Sequence, residues 1–277
     1  MQHPHNHNHK LKLLSSLLLT AAFTTAIATA GTPARADVIT DWNAKTNELI
    51  TEAKIGTPPA VRISAIVQTA ALKALERLPR GASADAAAAA VAAAHLGTLV
   101  KLLPAQQAQI EAAVQTALTA VADGPAKKMG LVAGDKAAAE VLAQRLDDGA
   151  ATPDSYRPHT TAGAYVPTAT VAITTWSRRK PWHLTSSAQF RPGPPPALSS
   201  EAWARDYNEV RTLGSRTSTQ RTPEQTEIAR FWDYSLPAVY HGVLRSVALQ
   251  PERSPLANAR LFATAAQAMD DALIADG

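Results

Sequence analysis

Eight prolines, at positions 153, 158, 167, 181, 192, 194, 195 and 196, stand between residues 150 and 198 and set the limits on what this chain can become. Each locks φ and removes a backbone donor, so no long helix can cross that stretch. The same stretch carries Tyr156, Tyr165, Trp176, Trp182 and Phe190. Disordered linkers are poor in aromatics, so the pattern predicts an ordered, extended connection anchored on a helical body by those rings.

On both sides of the connection the apolar residues recur at spacings of three and four. Val38, Trp42, Leu49 and Ile50 predict a first amphipathic helix ending near Gly56. Thr57-Pro58 restarts helix, with Ile63, Ile66, Val67, Ala70, Ala71 and Leu75 as its buried face. Gly81 breaks that helix and Ser83 caps the next, an alanine-rich run from Asp85 to Lys101 in which alanine favours helix and close packing. A fourth helix spans about Pro104 to Val121, and a fifth follows Asp123-Gly124-Pro125 and closes at Asp147-Asp148-Gly149.

Beyond the connection, Leu198 to Trp232 reads as two helices around a polar hinge. Ser199 or Ser200 caps the first, and Gly214, Ser215, Thr217 and Ser218 form the hinge. Thr222, Pro223 and Gln225 make a capping box with proline at the first helical position. Ile228, Phe231 and Trp232 then predict one buried face. Pro237 to about Leu249 and a helix from Leu256 to Ile274, capped by Ser254-Pro255, complete the chain. No segment has the period of two that a strand requires. The fold class is therefore all-α, a helical bundle with a long Pro-rich ordered connection.

Charge adds a boundary. Residues 1–36 contain Lys10, Lys12 and Arg35 and no acidic group, and without them 24 basic residues face 23 acidic ones. The basic balance belongs to that leader, and the rest has no nucleic-acid footprint. Lys10 and Lys12, the apolar segment Leu13–Ala30 and the small residues of Ala34-Arg35-Ala36 predict a signal peptide cleaved after Ala36, hence a secreted or periplasmic protein with no stable membrane span. His3, His5, His7 and His9 would leave with it. The segments are thus 1–36 signal peptide, 37–149 helical, 150–198 connection and 199–277 helical.

Candidate chemistry is sparse. His95, His159, His183 and His241 have no metal-ligand spacing among them, and packing accounts for His95 and His241. Asp147-Asp148 and Asp270-Asp271 lie near helix ends, where solvation explains them. Trp176-Ser177-Arg178-Arg179-Lys180 gathers cations beside an aromatic and reads as a solvated charge run rather than an anion site. Arg205, Arg211 and Arg230 read as solvent-facing. Absence of cysteine removes disulfides and thiolate chemistry. No catalytic, cofactor-binding or metal residue is assigned on these grounds.

Several short stretches carry a resemblance: Asp41-Trp42-Asn43, Asp123-Gly124-Pro125-Ala126, Leu184-Thr185-Ser186, Gln189-Phe190-Arg191-Pro192, Pro194-Pro195-Pro196, Asp206-Tyr207-Asn208-Glu209-Val210, Thr222–Trp232 and Asn258-Ala259-Arg260-Leu261-Phe262. Through them the chain resembles the N-terminal part of bacterial secreted proteins related to vanadium-dependent haloperoxidases and to the acid phosphatases of the phosphatidic-acid-phosphatase type 2 superfamily. It departs from them at Gln68–Leu78, where relatives tend to carry a His-Ala-x-x-Asp-Ala helix.

The resemblance implies the N-terminal half of the haloperoxidase-like fold. It also implies a parent that oxidises halides with peroxide or hydrolyses phosphoesters at a vanadate or phosphate site. That site's motifs, Lys-x6-Arg-Pro, Pro-Ser-Gly-His and Ser-Arg-x5-His, do not occur here, and Ser177-Arg178 before His183 has four intervening residues. The expectation is a non-catalytic half, holding no cofactor itself, with vanadate belonging to a full-length relative. Its expected partner is the missing C-terminal half or a second copy. A self-contained helical scaffold or interaction module is the other reading.

Overall fold

The computed structural model describes residues 37–234 and 236–276. Among them nine α-helices and no strand occur, which establishes the all-α class. They are α1 (Val38–Glu52), α2 (Thr57–Glu76), α3 (Ala84–Leu102), α4 (Gln107–Thr119), α5 (Pro125–Gln144), α6 (Glu201–Leu213), α7 (Pro223–Trp232), α8 (Leu236–Ala248) and α9 (Pro255–Asp276). The predicted leader and its cleavage point after Ala36 lie outside the described residues.

α2 is the axis of the body, packed against α1, α3, α5, α8 and α9. The predicted face Ile63, Ile66, Val67, Ala70, Ala71 and Leu75 is buried throughout. Asp37 caps α1 and Ser83 caps α3 through side-chain bonds to Ile39 N and Ala86 N. α3 is apolar and long enough to cross a membrane by composition alone, yet it lies inside the body between α2, α4 and α5.

The α3–α5 seam depends on residues without bulk. A Cβ added at Gly130 would lie 2.3 Å from Ala86 O, and one at Gly134 would lie 2.3 Å from Ala90 O. On the other side, a Cβ at Gly97 would meet Ala138 Cβ at 2.7 Å. The backbones therefore approach as closely as only glycine permits. α9 closes the opposite flank of α2 with Phe262, Ala263 and Ala266 fully buried. Asn258 fixes its start by donating to Asp37 Oδ2 at 2.7 Å and to Ala248 O at 3.1 Å.

α6 and α7 form as predicted but do not bury as predicted. Ser200 Oγ accepts from Trp203 N, and Thr222 and Gln225 make both bonds of the capping box. The hinge is held by Ser218 Oγ donating to Thr212 O and Arg221 Nη1 donating to Leu213 O, each at 2.6 Å. Yet Ile228, Phe231 and Trp232 are 53%, 66% and 52% exposed, which corrects the expected buried face. The caps act locally and make the helix, and among the described residues no element buries its apolar side. Of the five aromatics in the connection, Trp176 is buried and Trp182 partly so, while Tyr156, Tyr165 and Phe190 are exposed, which corrects the expectation that all five rings are anchors.

Candidate functional site

The strongest concentration of chemistry lies where the connection meets the ends of α5 and α9. α5 stops at Gln144, and Arg145 and Asp148 follow in the turn that ends it. Gly149 has φ +89, a conformation favouring glycine, and a Cβ there would come within 3.2 Å of Arg179 Cα. This turn therefore lets the connection lie against α5, and Lys180 N donates to Asp148 O at 2.8 Å.

Arg179 is the centre. Its Nη1 donates to Asp270 Oδ1 at 2.6 Å, and its Nη2 donates to Asp270 Oδ2 at 3.1 Å and to Asp148 Oδ2 at 2.9 Å. Arg62 of α2 grips Asp148 from the other side through Nε at 2.8 Å and Nη2 at 3.2 Å. Trp182 Nε1 donates to Asp270 Oδ2 at 2.8 Å. Asp271 receives three successive backbone donors, Trp182 N, His183 N and Leu184 N, at 2.6, 2.7 and 3.1 Å. The Arg145 guanidinium lies 3.4 Å over the Trp182 ring and donates to Lys180 O, while that of Arg179 lies 4.3 Å over Trp176.

Two readings of the sequence are overturned here. Arg179 is 2% exposed and no part of a solvated run, although Arg178 and Lys180 beside it are exposed. Asp148, Asp270 and Asp271 are likewise buried, and only Asp147 stays in solvent. The reason is mutual neutralisation: Arg62 and Arg179 are hydrogen-bonded to Asp148 and Asp270, while Asp271 is satisfied by backbone donors and Arg145 by backbone carbonyls and the Trp182 ring, which makes burial tolerable. Burial opposes the charge on Asp148, but the bonds from Arg62 and Arg179 outweigh it and hold its carboxyl below the usual range. Burial likewise opposes the charge on Arg179, and Asp270 and Asp148 reverse that effect and raise its pKa. Residues 86 and 91 positions apart in sequence make this cluster, so no local spacing announces it.

As a binding site the cluster does not fit an oxyanion such as vanadate. Arg62 and Arg179 already pair with carboxylates and Arg145 with main-chain carbonyls, and an added anion would meet Asp148, Asp270 and Asp271 as well. The arrangement clasps residues 176–184 to α5 and α9.

The predicted histidines separate. His159 is exposed. His183 is exposed, and its Nε2 meets Gln267 Oε1 at 2.8 Å. It edges a groove of about 490 Å³ between the connection and the end of α9, lined by Leu184, Phe190, Pro192, Ala272 and Asp276 among others. His95 and His241 are fully buried in the body, as packing residues should be. His95 stacks on Trp42 at 4.7 Å and places Nδ1 2.7 Å from Val91 O. His241 Nδ1 pairs with Asn43 Nδ2, and Asn43 Oδ1 accepts from Arg245 at 2.8 Å. Burial pulls both imidazoles down to about 4; at His241 the Arg245 charge adds to it, and at His95 the Val91 bond opposes it.

Among the described residues no group of three or more His, Cys, Asp or Glu is placed to hold a metal ion. Comparison with protein-family models, with curated proteins and with solved structures gives no match to this chain.

Proposed function

We propose that this chain is the non-catalytic helical half of a secreted protein related to the vanadium-dependent haloperoxidases and acid phosphatases. In this reading α1–α5, α8 and α9 form a scaffold, and α6 and α7 present a surface to the half that carries the oxyanion site. The observation that carries it is the open side of that helical pair. Tyr207, Val210, Ile228, Phe231 and Trp232 are all more than half exposed on two well-capped helices. Large apolar side chains left exposed along helix faces are the kind of surface a partner covers.

The clasp supports the non-catalytic part of the proposal, because Arg62 and Arg179 are committed to carboxylates and Arg145 to main-chain carbonyls. The parent activity would be halide oxidation by peroxide or phosphoester hydrolysis. Purified residues 37–277 are expected to show neither activity above background, assayed with vanadate, bromide and peroxide or with a chromogenic phosphoester. The deciding experiment translates the DNA downstream of codon 277 in all three frames. Lys-x6-Arg-Pro followed by Pro-Ser-Gly-His supports the reading, and an open frame lacking both sinks it.

A second reading, a self-contained helical interaction module, is favoured by the body itself. Its core and its clasp are complete without α6 and α7, neither of which contributes a buried residue. Such a module would bind a separate protein through the same exposed pair.

A further inference from the structure

The buried interior of the body changes character halfway along its helices. One apolar cluster holds Ile39 and Trp42 of α1, Ala71 and Leu75 of α2, and Val91 and Ala92 of α3. A second holds Leu49 and Ile50 of α1, Ala60, Ile63 and Val67 of α2, and Leu99 of α3. α1 thus runs from the first cluster to the second, and so does α3, while α2 runs the other way. Around the junction of the clusters lies a polar layer: Asn43, Thr46 and Asn47 of α1, Gln68 of α2 with Ser64 one turn further into the second cluster, and His95 and Thr98 of α3. All are buried. α8 adds His241 to this layer through Asn43.

Part of the layer is internally bonded. Thr46 and Thr98 donate to the carbonyls of Trp42 and Ala94, and Asn47 donates to Asn43. Five atoms have no protein partner: Ser64 Oγ, Gln68 Nε2, Gln68 Oε1, His95 Nε2 and His241 Nε2. Buried polar atoms of folded proteins are nearly always hydrogen-bonded, to protein or to ordered water.

The hydrogen bonds already made fix what each histidine offers. His95 Nδ1 sits on a carbonyl, so it carries the proton and Nε2 presents a lone pair. Asn43 Oδ1 is taken by Arg245, so the Asn43 amide nitrogen donates to His241 Nδ1 and His241 Nε2 carries a proton. The layer therefore offers two acceptors, two donors and one hydroxyl that does both. It has no carboxylate to hold a cation, and the His95 lone pair would face an anion. The complement to such a set is small, neutral and able to donate and accept.

We propose that this layer is an internal binding site for water, in which bound molecules bridge Ser64, Gln68, His95 and His241 around the junction of the two apolar clusters. The test uses ¹⁵N-labelled residues 37–277 and water-selective NMR. Slowly exchanging water should give cross-peaks to the Gln68 side-chain amide and to the His241 Nε2 proton. Replacing Gln68→Leu should abolish or weaken the His241 cross-peak and lower the melting temperature. Ser64→Ala, a smaller change that keeps the fold, should lower it by roughly 2–4 °C. Absence of water cross-peaks in the unmodified protein overturns the proposal. So does a higher melting temperature in either variant, because apolar replacement stabilises a layer that is dry and unsatisfied.

Discussion

The clasped body and the α6–α7 pair use the same local devices and reach opposite ends. Both have side-chain caps, and α7 has a full capping box with both of its bonds made. Yet the body buries most of α2 and α3, whereas α6 and α7 bury nothing. The contrast runs against the usual guide. α6 and α7 are strongly one-sided helices, while α3 is scarcely one-sided and yet, with α2, is among the most buried. One-sidedness tells which face a helix could bury, and small residues on both faces tell which helix can be surrounded.

Acid should separate the two regions most widely. Both buried histidines belong to the body, and residues 199–234 contain none. An imidazole held near 4 in the folded chain and near its ordinary value when unfolded makes the unfolded state bind more protons as pH falls. Stability is therefore full above about 6.5, declines down to about 4, and loses roughly 3 kcal/mol per histidine. Below that range the depressed Asp148 carboxyl adds to the loss as it protonates. Chemical denaturation at pH 7, 5.5 and 4.5 should reveal the slope, and His241→Gln should flatten it; a flat profile in the unaltered protein breaks the argument.

Next in size is the clasp. Arg179→Ala leaves Asp148 and Asp270 buried beside one fewer cation and is expected to cost about 3–5 kcal/mol. The matched change Arg230→Ala, on a fully solvated pair in α7, should stay within about 0.5 kcal/mol. Equal effects in calorimetry would erase the distinction between the regions.

The α3–α5 seam should respond more modestly. Gly134→Val forces atoms onto Ala90 O and is expected to destabilise by about 1–3 kcal/mol, whereas Gly193→Ala meets open space and should be near neutral. Smallest is Thr222→Ala, which removes the α7 cap for about 1 kcal/mol of local helix stability. Hydrogen exchange should show that loss confined to α7, with the amides of α2 and α3 unchanged; a loss that spreads into the body would mean the pair is coupled to it after all.

Much of this fold was legible in the sequence because its signals are local. The buried face of α2, the caps at Ser83 and Thr222 and a connection without any long helix all depend on residues within a turn or two of one another. The clasp was not legible for the opposite reason. Arg62, Asp148, Arg179 and Asp270 look like surface charges until the chain brings them together, and no spacing rule links positions so far apart. The adjacent acids at 270 and 271 held a hint, since their immediate neighbours Ala268, Met269, Ala272, Leu273 and Ile274 are apolar and two charges there must either reach solvent or find donors. The exposure of Ile228 and Phe231 was illegible as well: periodicity names an apolar side without saying whether anything lies against it.

The clasp also closes a ring in a chain that has no cysteine. Arg179 is joined to Asp148, 31 residues earlier, and to Asp270, 91 residues later. The exposed stretch 153–162 lies inside the first of these loops. A protease cutting there would sever the covalent chain while both sides of the wound stayed fastened, the earlier fragment by Arg62 and Asp148 and the later one by Arg179 and the packing of α9 on α2. Nicked protein should run as two bands under denaturing conditions and as one particle in gel filtration. Separately produced fragments should reassociate, which makes this joint a natural place to split the molecule and to insert foreign sequence.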